Sequence, residues 1–226
     1  MFNSSRRTSR PFTVLVEGNI GSGKTTFLNY FDRHQNVSVL AEPIELWRNC
    51  DGHNLLGLMY EDSQKWSFTF QSYVQLTMLQ HHCHRSSHPI KLMERSVYSA
   101  KYCFVEKMRR DNILSEASAA VIDEHFQWLI NNPNTAADLI VYLRTSPEIA
   151  YERIIERSRV EEKFISIDYL RELHNIHEEW LFYKNLHYCP APVIVLNADL
   201  DKSSIEEEYQ KCHYHIFNDI PISVQG

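Results

Sequence analysis

Phe12-Thr13-Val14-Leu15-Val16-Glu17 runs directly into Gly18-Asn19-Ile20-Gly21-Ser22-Gly23-Lys24-Thr25-Thr26. The first six residues are an apolar, β-branched run of strand length, and the next eight fit G-x-x-x-x-G-K-[ST] in full, opening a helix. Glycines at these positions let the backbone wrap so that its N–H groups and the amino end of the helix meet phosphate oxygens. Lys24 adds a point charge at the β- and γ-phosphates, and Thr25 can offer its hydroxyl to Mg²⁺. A glycine-rich turn that matches by chance is the competing account. Strand, loop and helix in that order argue against it and predict ATP or GTP binding.

Four further short runs have the same character: Val37–Leu40, Ile90–Met93, Leu139–Leu143 and Val193–Leu196. They are near-continuous rather than alternating, as strands of a parallel sheet covered on both faces are. Between them lie stretches of helical spacing: Trp66, Phe70, Tyr73, Val74, Thr77 and Met78 in one, Leu114, Val121, Ile122, His125, Phe126 and Leu129 in another. Strands alternating with helices predict an α/β fold, a five-stranded parallel sheet flanked by helices. Ligands of such sheets bind beyond the carboxyl ends of the strands. There the chain carries Gly18, Glu42, Glu94-Arg95-Ser96, Arg144-Thr145-Ser146-Pro147 and Asn197-Ala198-Asp199. No repeat or Pro/Gly-rich linker divides the chain, so residues 11–217 are expected to form one domain, ending in a helix from Ser203 to Phe217. Residues 1–10 are expected to be a disordered leader and 218–226 a flexible tail.

With 226 residues, 43% hydrophobic and 23% charged, the composition is globular and excludes disorder, collagen and coiled coil as descriptions of the whole. No apolar run approaches the roughly 18–20 residues of a membrane helix, so no membrane partner is expected. A net charge of −6 argues against nucleic acid as a partner, since domains that grip a phosphate backbone are strongly basic. Five cysteines without a C-x-x-C pair favour a reducing compartment. The expectation is a cytoplasmic protein, with nucleus and mitochondrion left open. Arg6, Arg7 and Arg10 among serines and threonines have the flavour of a transit peptide, but that segment is short.

A regulatory GTPase would need N-K-x-D and D-x-x-G, and neither is present. A small-molecule kinase needs an acceptor site with a base and a mobile cationic segment that neutralises the transferring phosphoryl group. Arg153, Arg157 and Arg159, near Arg144 and followed by Glu161 and Glu162, supply such a segment over about residues 153–163. A solvated helix of salt-bridged arginines is the alternative, and the position after the fourth strand favours the lid.

The motifs together resemble the deoxyribonucleoside kinases: the P-loop, Glu42-Pro43-Ile44-Glu45-Leu46-Trp47, Phe70-Gln71-Ser72-Tyr73, Glu94-Arg95-Ser96, and Tyr151-Glu152-Arg153 through Arg159-Val160-Glu161-Glu162. The likeness runs from about Pro11 to Asp199. It implies a P-loop kinase fold with a short arginine-rich lid and ATP-dependent, Mg²⁺-assisted phosphorylation of a nucleoside 5′-hydroxyl. By resemblance, Glu42 is the general base, Arg95 holds that base and the reacting oxygens, and Lys24 serves transfer. The P-loop from Gly18 to Thr26 and Arg153, Arg157 and Arg159 bind ATP. Glu94 completes the magnesium site with Thr25. Gln71 resembles a base reader, its amide able to face the N3/O4 edge of thymine or, flipped, the N3/N4 edge of cytosine. Phe70 and Phe104 would stack on or edge the base, Trp47 would wall the pocket, and Val74, Met78 and Ala100 would line it. As a helical stripe alone, Phe70, Val74 and Met78 would be plain core. At Val74, Met78 and Ala100 the chain is similar to the thymidine-accepting branch rather than the deoxycytidine kinases, which implies thymidine and deoxycytidine ahead of purines. Tyr60 and Glu162 resemble the pair that binds the 3′-hydroxyl. Homodimerisation through Gln64–His82 and Ser115–Asn131, and inhibition by an end-product deoxynucleoside triphosphate, are further implications of the resemblance.

Two clusters are set aside. His81, His82, Cys83, His84 and His88 follow a long helix, whose carboxyl end favours imidazoles without a metal. His174-x-x-His177-Glu178 reverses the last two letters of an inverted zinc-protease motif and fits one helix face. Two other functions compete with nucleoside phosphorylation: a nucleoside monophosphate kinase of the thymidylate type, and a nucleotide-sensing protein without turnover. The first would need extra cations for an acceptor phosphate, where Glu42 would repel it. The second would have lost base or magnesium ligands.

Overall fold

The computed structural model describes residues 10–201 and 203–217, so the expected leader, save Arg10, and the expected tail lie outside the described residues. Five strands, β1 (Phe12–Glu17), β2 (Val37–Leu40), β3 (Ile90–Glu94), β4 (Leu139–Arg144) and β5 (Val193–Asn197), form one sheet in the order β2-β3-β1-β4-β5. Every pairing is parallel. All five expected runs are strands, with β3, β4 and β5 each one residue longer at the carboxyl end. Central β1 is buried on both faces because alternate residues enter opposite cores. Val14 and Val16 pack with Phe27, Leu28 and Phe31 of α1 (Lys24–Phe31) and with Tyr209, Cys212 and Ile216 of α10 (Ile205–Phe217). Leu15 faces the larger core with Met93, Ile140 and Tyr142. The edge strands depart from the fully buried expectation. β5 pairs on one side only, and Val195 is 37% exposed.

The larger core is closed by helices on the other face of the sheet. α4 (Ser63–Cys83) is started by the Asp62 carboxylate, which accepts the Lys65 N–H at 3.2 Å. It buries Phe70, Gln71, Val74, Gln75 and Met78. α7 (Glu116–Ile130), capped by Ser115, buries Ala119, Ile122, Phe126 and Leu129. Val121 and His125, expected on its apolar face, are exposed, and Leu114 is buried but precedes the helix. The true stripe uses the small Ala119, which lets α7 approach its neighbours, and the i, i+3 spacing alone could not separate the two faces. The short α2 (Ile44–Arg48) and α3 (Leu55–Glu61) lead into α4. α5 (Val97–Ser99), a π-helical segment (Ala100–Val105) and α6 (Glu106–Arg110) form one rod after β3.

After β4 come α8 (Pro147–Arg157), a 3-10 segment (Val160–Phe164) and α9 (Ile167–His177), which continues as a π-helical turn (Glu178–Phe182). Ser158 takes left-handed φ at 54° and ends α8. The arginines are therefore not one helical series: Arg153 and Arg157 lie on α8, and Arg159 lies beyond it. The last helix begins at Ile205 rather than Ser203, because Asp201 Oδ1 accepts the backbone N–H groups of Ser203 and Ser204 just ahead of it. Arg10, expected within the leader, is fixed by two hydrogen bonds to Asp138 at 2.6 and 2.8 Å.

Candidate active site

β1 lies at the centre of the sheet, so the loop after it opens between the ends of β3 and β4. Gly21 has φ 79°, and a Cβ there would stand 2.4 Å from the Ala150 carbonyl oxygen of α8. Only glycine permits both that conformation and that approach. The Lys24 ammonium is buried and donates to the Asn19 carbonyl at 2.7 Å and the Gly18 carbonyl at 3.3 Å. Burial, and then the charge of Arg95, pull its pKa down to about 7. The Asn19 side chain belongs to the fold: it donates to the Leu170 carbonyl of α9 at 2.9 Å, leaving its backbone to the loop. Ser22 is buried, whereas Thr25 and Thr26 are exposed on the first turn of α1.

Adjacent parallel strands bring three further groups to Lys24. β2 and β3 are neighbours in register, so Glu42 beyond the end of β2 reaches Arg95 beyond the end of β3. Arg95 Nε lies 2.9 Å from Glu42 Oε1, and Arg95 Nη1 donates to the Gly18 carbonyl at 3.1 Å. Burial holds the Glu42 carboxyl above the usual carboxylate range, against the pull of Arg95 and with support from the neighbouring Glu94. A carboxylate so raised is a better proton acceptor than a free one. The Arg95 guanidinium also lies 4.6 Å from the centroid of the Phe104 ring, so Phe104 braces the arginine as well as facing the cavity.

Thr25 Oγ1 lies 3.1 and 3.2 Å from the two carboxylate oxygens of Glu94. This hydroxyl and carboxylate are hard oxygen donors at the mouth of the phosphate loop, and they fit Mg²⁺, which fills its shell from phosphates and water. No cluster of three His, Cys, Asp or Glu able to hold a metal occurs among the described residues.

A cavity opens from these groups towards α4. Glu42, Lys24, Glu94 and Arg95 line it, as do Phe70, Gln71, Val74 and Met78 of α4. Trp47, Ala100, Phe104, Tyr60 and Glu162 line it as well. All the expected substrate residues therefore border one space. Trp47 is held edge-on to Phe70 and donates its indole N–H to Thr77 at 2.9 Å. Gln71 is buried, and its carbonyl oxygen has no hydrogen-bond partner among the described residues. Burial raises the Tyr60 phenol, so it remains a proton donor throughout the neutral range.

The arginines of the segment divide by their contacts. Arg157 and Arg159 line the cavity, and both pair with Glu162, at 2.6 and 3.4 Å. Arg153 instead donates to the carbonyls of Ala198 and Leu200, beside Gly23. Arg144, expected near these cations, pairs with Glu178 at 2.8 Å and lies over Phe182. The π-helical turn carries Glu178 to the end of β4, a placement that spacing could not reveal. Several lining residues were not singled out from sequence: Ile44, Arg48, Leu56, Met59, Met108 and Tyr169. Ile44 and Arg48 are one helical turn apart on α2, a spacing that could have marked them.

Residues 14–220 match the sequence profile of the family described as deoxynucleoside kinase. Human mitochondrial thymidine kinase 2 is 49% identical over 186 residues, 82% of this chain and 70% of the relative. Chicken deoxycytidine kinase 2 is 32% identical, with 87% and 86% covered, and human deoxycytidine kinase is 30% identical, with 88% of each covered. With its P-loop kinase fold and a phosphate loop, acid–arginine pair and apolar cavity at one sheet edge, the chain belongs to the deoxynucleoside kinase family.

Proposed function

We propose that this deoxynucleoside kinase transfers the γ-phosphate of ATP to the 5′-hydroxyl of 2′-deoxyribonucleosides, thymidine and deoxycytidine ahead of purines, in nucleoside salvage. The observation that carries this reading is the buried Gln71 amide with its unpartnered carbonyl oxygen, lining the same cavity as Glu42 and Arg95. An unpaired buried acceptor is costly, and the N–H of thymine or the amino group of cytosine would satisfy it. The apolar Val74, Met78 and Ala100 line the same cavity and add no charge.

In this reading Glu42 accepts the proton of the 5′-hydroxyl as the oxygen attacks in line, and Arg95 holds Glu42 in place. Lys24 and the backbone from Gly18 to Thr26 cradle the triphosphate. Mg²⁺ held by Thr25 and Glu94 would supply charge neutralisation between the phosphates. Arg157 and Arg159 would complete the cationic clamp, and Arg153 would act from its site beside Gly23. Tyr60 and Glu162 would bind the 3′-hydroxyl. Because Glu162 also pairs with both clamp arginines, acceptor binding and lid geometry are linked, which favours exclusion of water.

A monophosphate acceptor fits less well, since its phosphate would meet the Glu42 carboxylate. A sensor without turnover would not need the Glu42–Arg95 pair. We further propose a homodimer through α4 and α7, supported by the exposed Leu76, Val121 and Trp128, and inhibition by a deoxynucleoside triphosphate spanning both sites. Residues 11–217 are proposed as one domain and the cytoplasm as the compartment, with mitochondrion or nucleus decided by imaging the tagged full chain. No helix among the described residues is long and apolar enough to cross a membrane. The deciding experiment is ATP-dependent phosphorylation of the four deoxynucleosides in parallel, with thymidine monophosphate as control. Turnover of the pyrimidine nucleosides ahead of purines is expected. Turnover of the monophosphate alone would overturn the roles of Glu42 and Gln71.

A further inference from the structure

Glu17 ends β1, one residue before the phosphate loop, and is fully buried. One carboxylate oxygen accepts the Ser96 hydroxyl at 2.6 Å, and the other has no partner among the described residues. A carboxyl group so placed is costly to bury, and burial pushes it up to about 7. Its one hydrogen bond reaches the turn that carries Arg95. Arg95 has φ 63°, a left-handed conformation that a residue with a Cβ keeps only when its surroundings impose it. The restraints are visible. Arg95 N–H donates to the Val16 carbonyl at 3.0 Å, and Ser96 Oγ accepts the N–H groups of Tyr98 and Ser99 at the start of α5. Donation to Glu17 uses the single hydroxyl proton of Ser96, so that rotor is fully committed. The end of β1 is thus tied to the end of β3 three times, by Ser96 to Glu17, by the Arg95 N–H to the Val16 carbonyl and by the Arg95 guanidinium to the Gly18 carbonyl.

We infer that Glu17 is a positioning residue for phosphoryl transfer: by accepting the Ser96 hydroxyl it fixes the turn that presents Arg95, and so sets the Arg95–Glu42 pair. The inference rests on the reading of Glu42 and Arg95 as the base and its holder. Its test is a cycle of Glu17→Ala and Glu42→Gln measured by kcat and nucleoside KM. Glu17→Ala alone should lower kcat about tenfold with KM within about twofold. Glu17→Gln, which keeps an oxygen for Ser96, should recover most of kcat. In the Glu42→Gln background Glu17→Ala should cost nothing further, since the pair it serves is already broken. An equal loss in both backgrounds, or unchanged kcat with a lowered Tm, overturns the inference. Wild-type turnover by Glu42→Gln alone overturns the reading beneath it, and is seen before Glu17 is altered. If Glu17→Ala does not fold, Ser96→Ala against Ser96→Thr tests the same bond. Loss with alanine and retention with threonine supports it, and equal turnover by both rejects it.

Discussion

Arg48 ties the acceptor side of the cavity to the arginine-rich segment. It lies on α2, and its guanidinium grips Glu161 with two bonds, Nε at 2.7 Å and Nη2 at 2.9 Å, while Nη1 holds Glu45 at 2.7 Å. The Arg48 side chain is 30% exposed and that of Glu161 14%. The pair therefore falls between a surface ion pair, worth about 0–1 kcal/mol, and a buried one, whose breakage costs about 3–5 kcal/mol. A loss of about 1–2 kcal/mol is expected, or roughly 5–30-fold in the balance between a segment docked on α2 and one detached from it. Glu162 follows Glu161 directly, so detachment removes a proposed 3′-hydroxyl ligand. Arg48→Ala should raise nucleoside KM by about that factor, with a smaller change in kcat. Arg48→Lys, which keeps the charge but loses the fork, should fall between. The Arg48 bond holds the Glu161 carboxyl below its usual range, so the effect should persist across neutral pH. Steady-state kinetics with varied thymidine at saturating ATP would measure it, and Glu161→Gln in the Arg48→Ala background should add little. If Arg48→Ala keeps wild-type KM and kcat, the pair does not govern docking of the segment.

Other consequences are equally open to measurement. Glu42→Gln should lower kcat by about 10²–10³-fold while calorimetry finds thymidine affinity within a few-fold; undiminished turnover removes Glu42 as the base. Gln71→Leu should raise KM for thymidine and deoxycytidine about 10–100-fold, because it removes the only polar side chain that α4 presents to the cavity, and unaltered pyrimidine kinetics would discard Gln71 as the reader. Gly21→Ala, with its Cβ against the Ala150 carbonyl and φ at 79°, should cost about 1–3 kcal/mol in thermal unfolding and weaken ATP binding; a wild-type melt would contradict this account of the loop. Glu17 is raised from 4.5 to about 7, so its relative stabilisation is full below the lower value and lost as pH rises through the upper one. Urea unfolding should find Glu17→Gln gaining on wild type between pH 5 and 8, by up to about 3 kcal/mol, and a pH-independent difference would reject the shift.

The chain by itself determined its local elements. Continuous β-branched runs marked all five strands, G-x-x-x-x-G-K-[ST] marked the phosphate loop, and 3–4-residue spacing marked the helix that carries Gln71. These signals come from near neighbours along the chain, whose backbone preferences and face patterns need no partner to be read. The motif resemblance then supplied a set of cavity residues that the fold brings to one space. Only the tertiary structure decided which charges meet. Sheet order puts the end of β2 beside the end of β3 and so joins Glu42 to Arg95, and the turn at Ser158 followed by Val160–Phe164 brings Glu161 to Arg48. It also pairs Arg144 with Glu178 and Arg153 with the carbonyls after β5, contacts that spacing did not reveal. Ion pairs depend on distances of a few ångströms between residues far apart in sequence. Those distances are set by strand order, crossovers and helix breaks that periodicity does not encode, which is why the parts were legible before their connections.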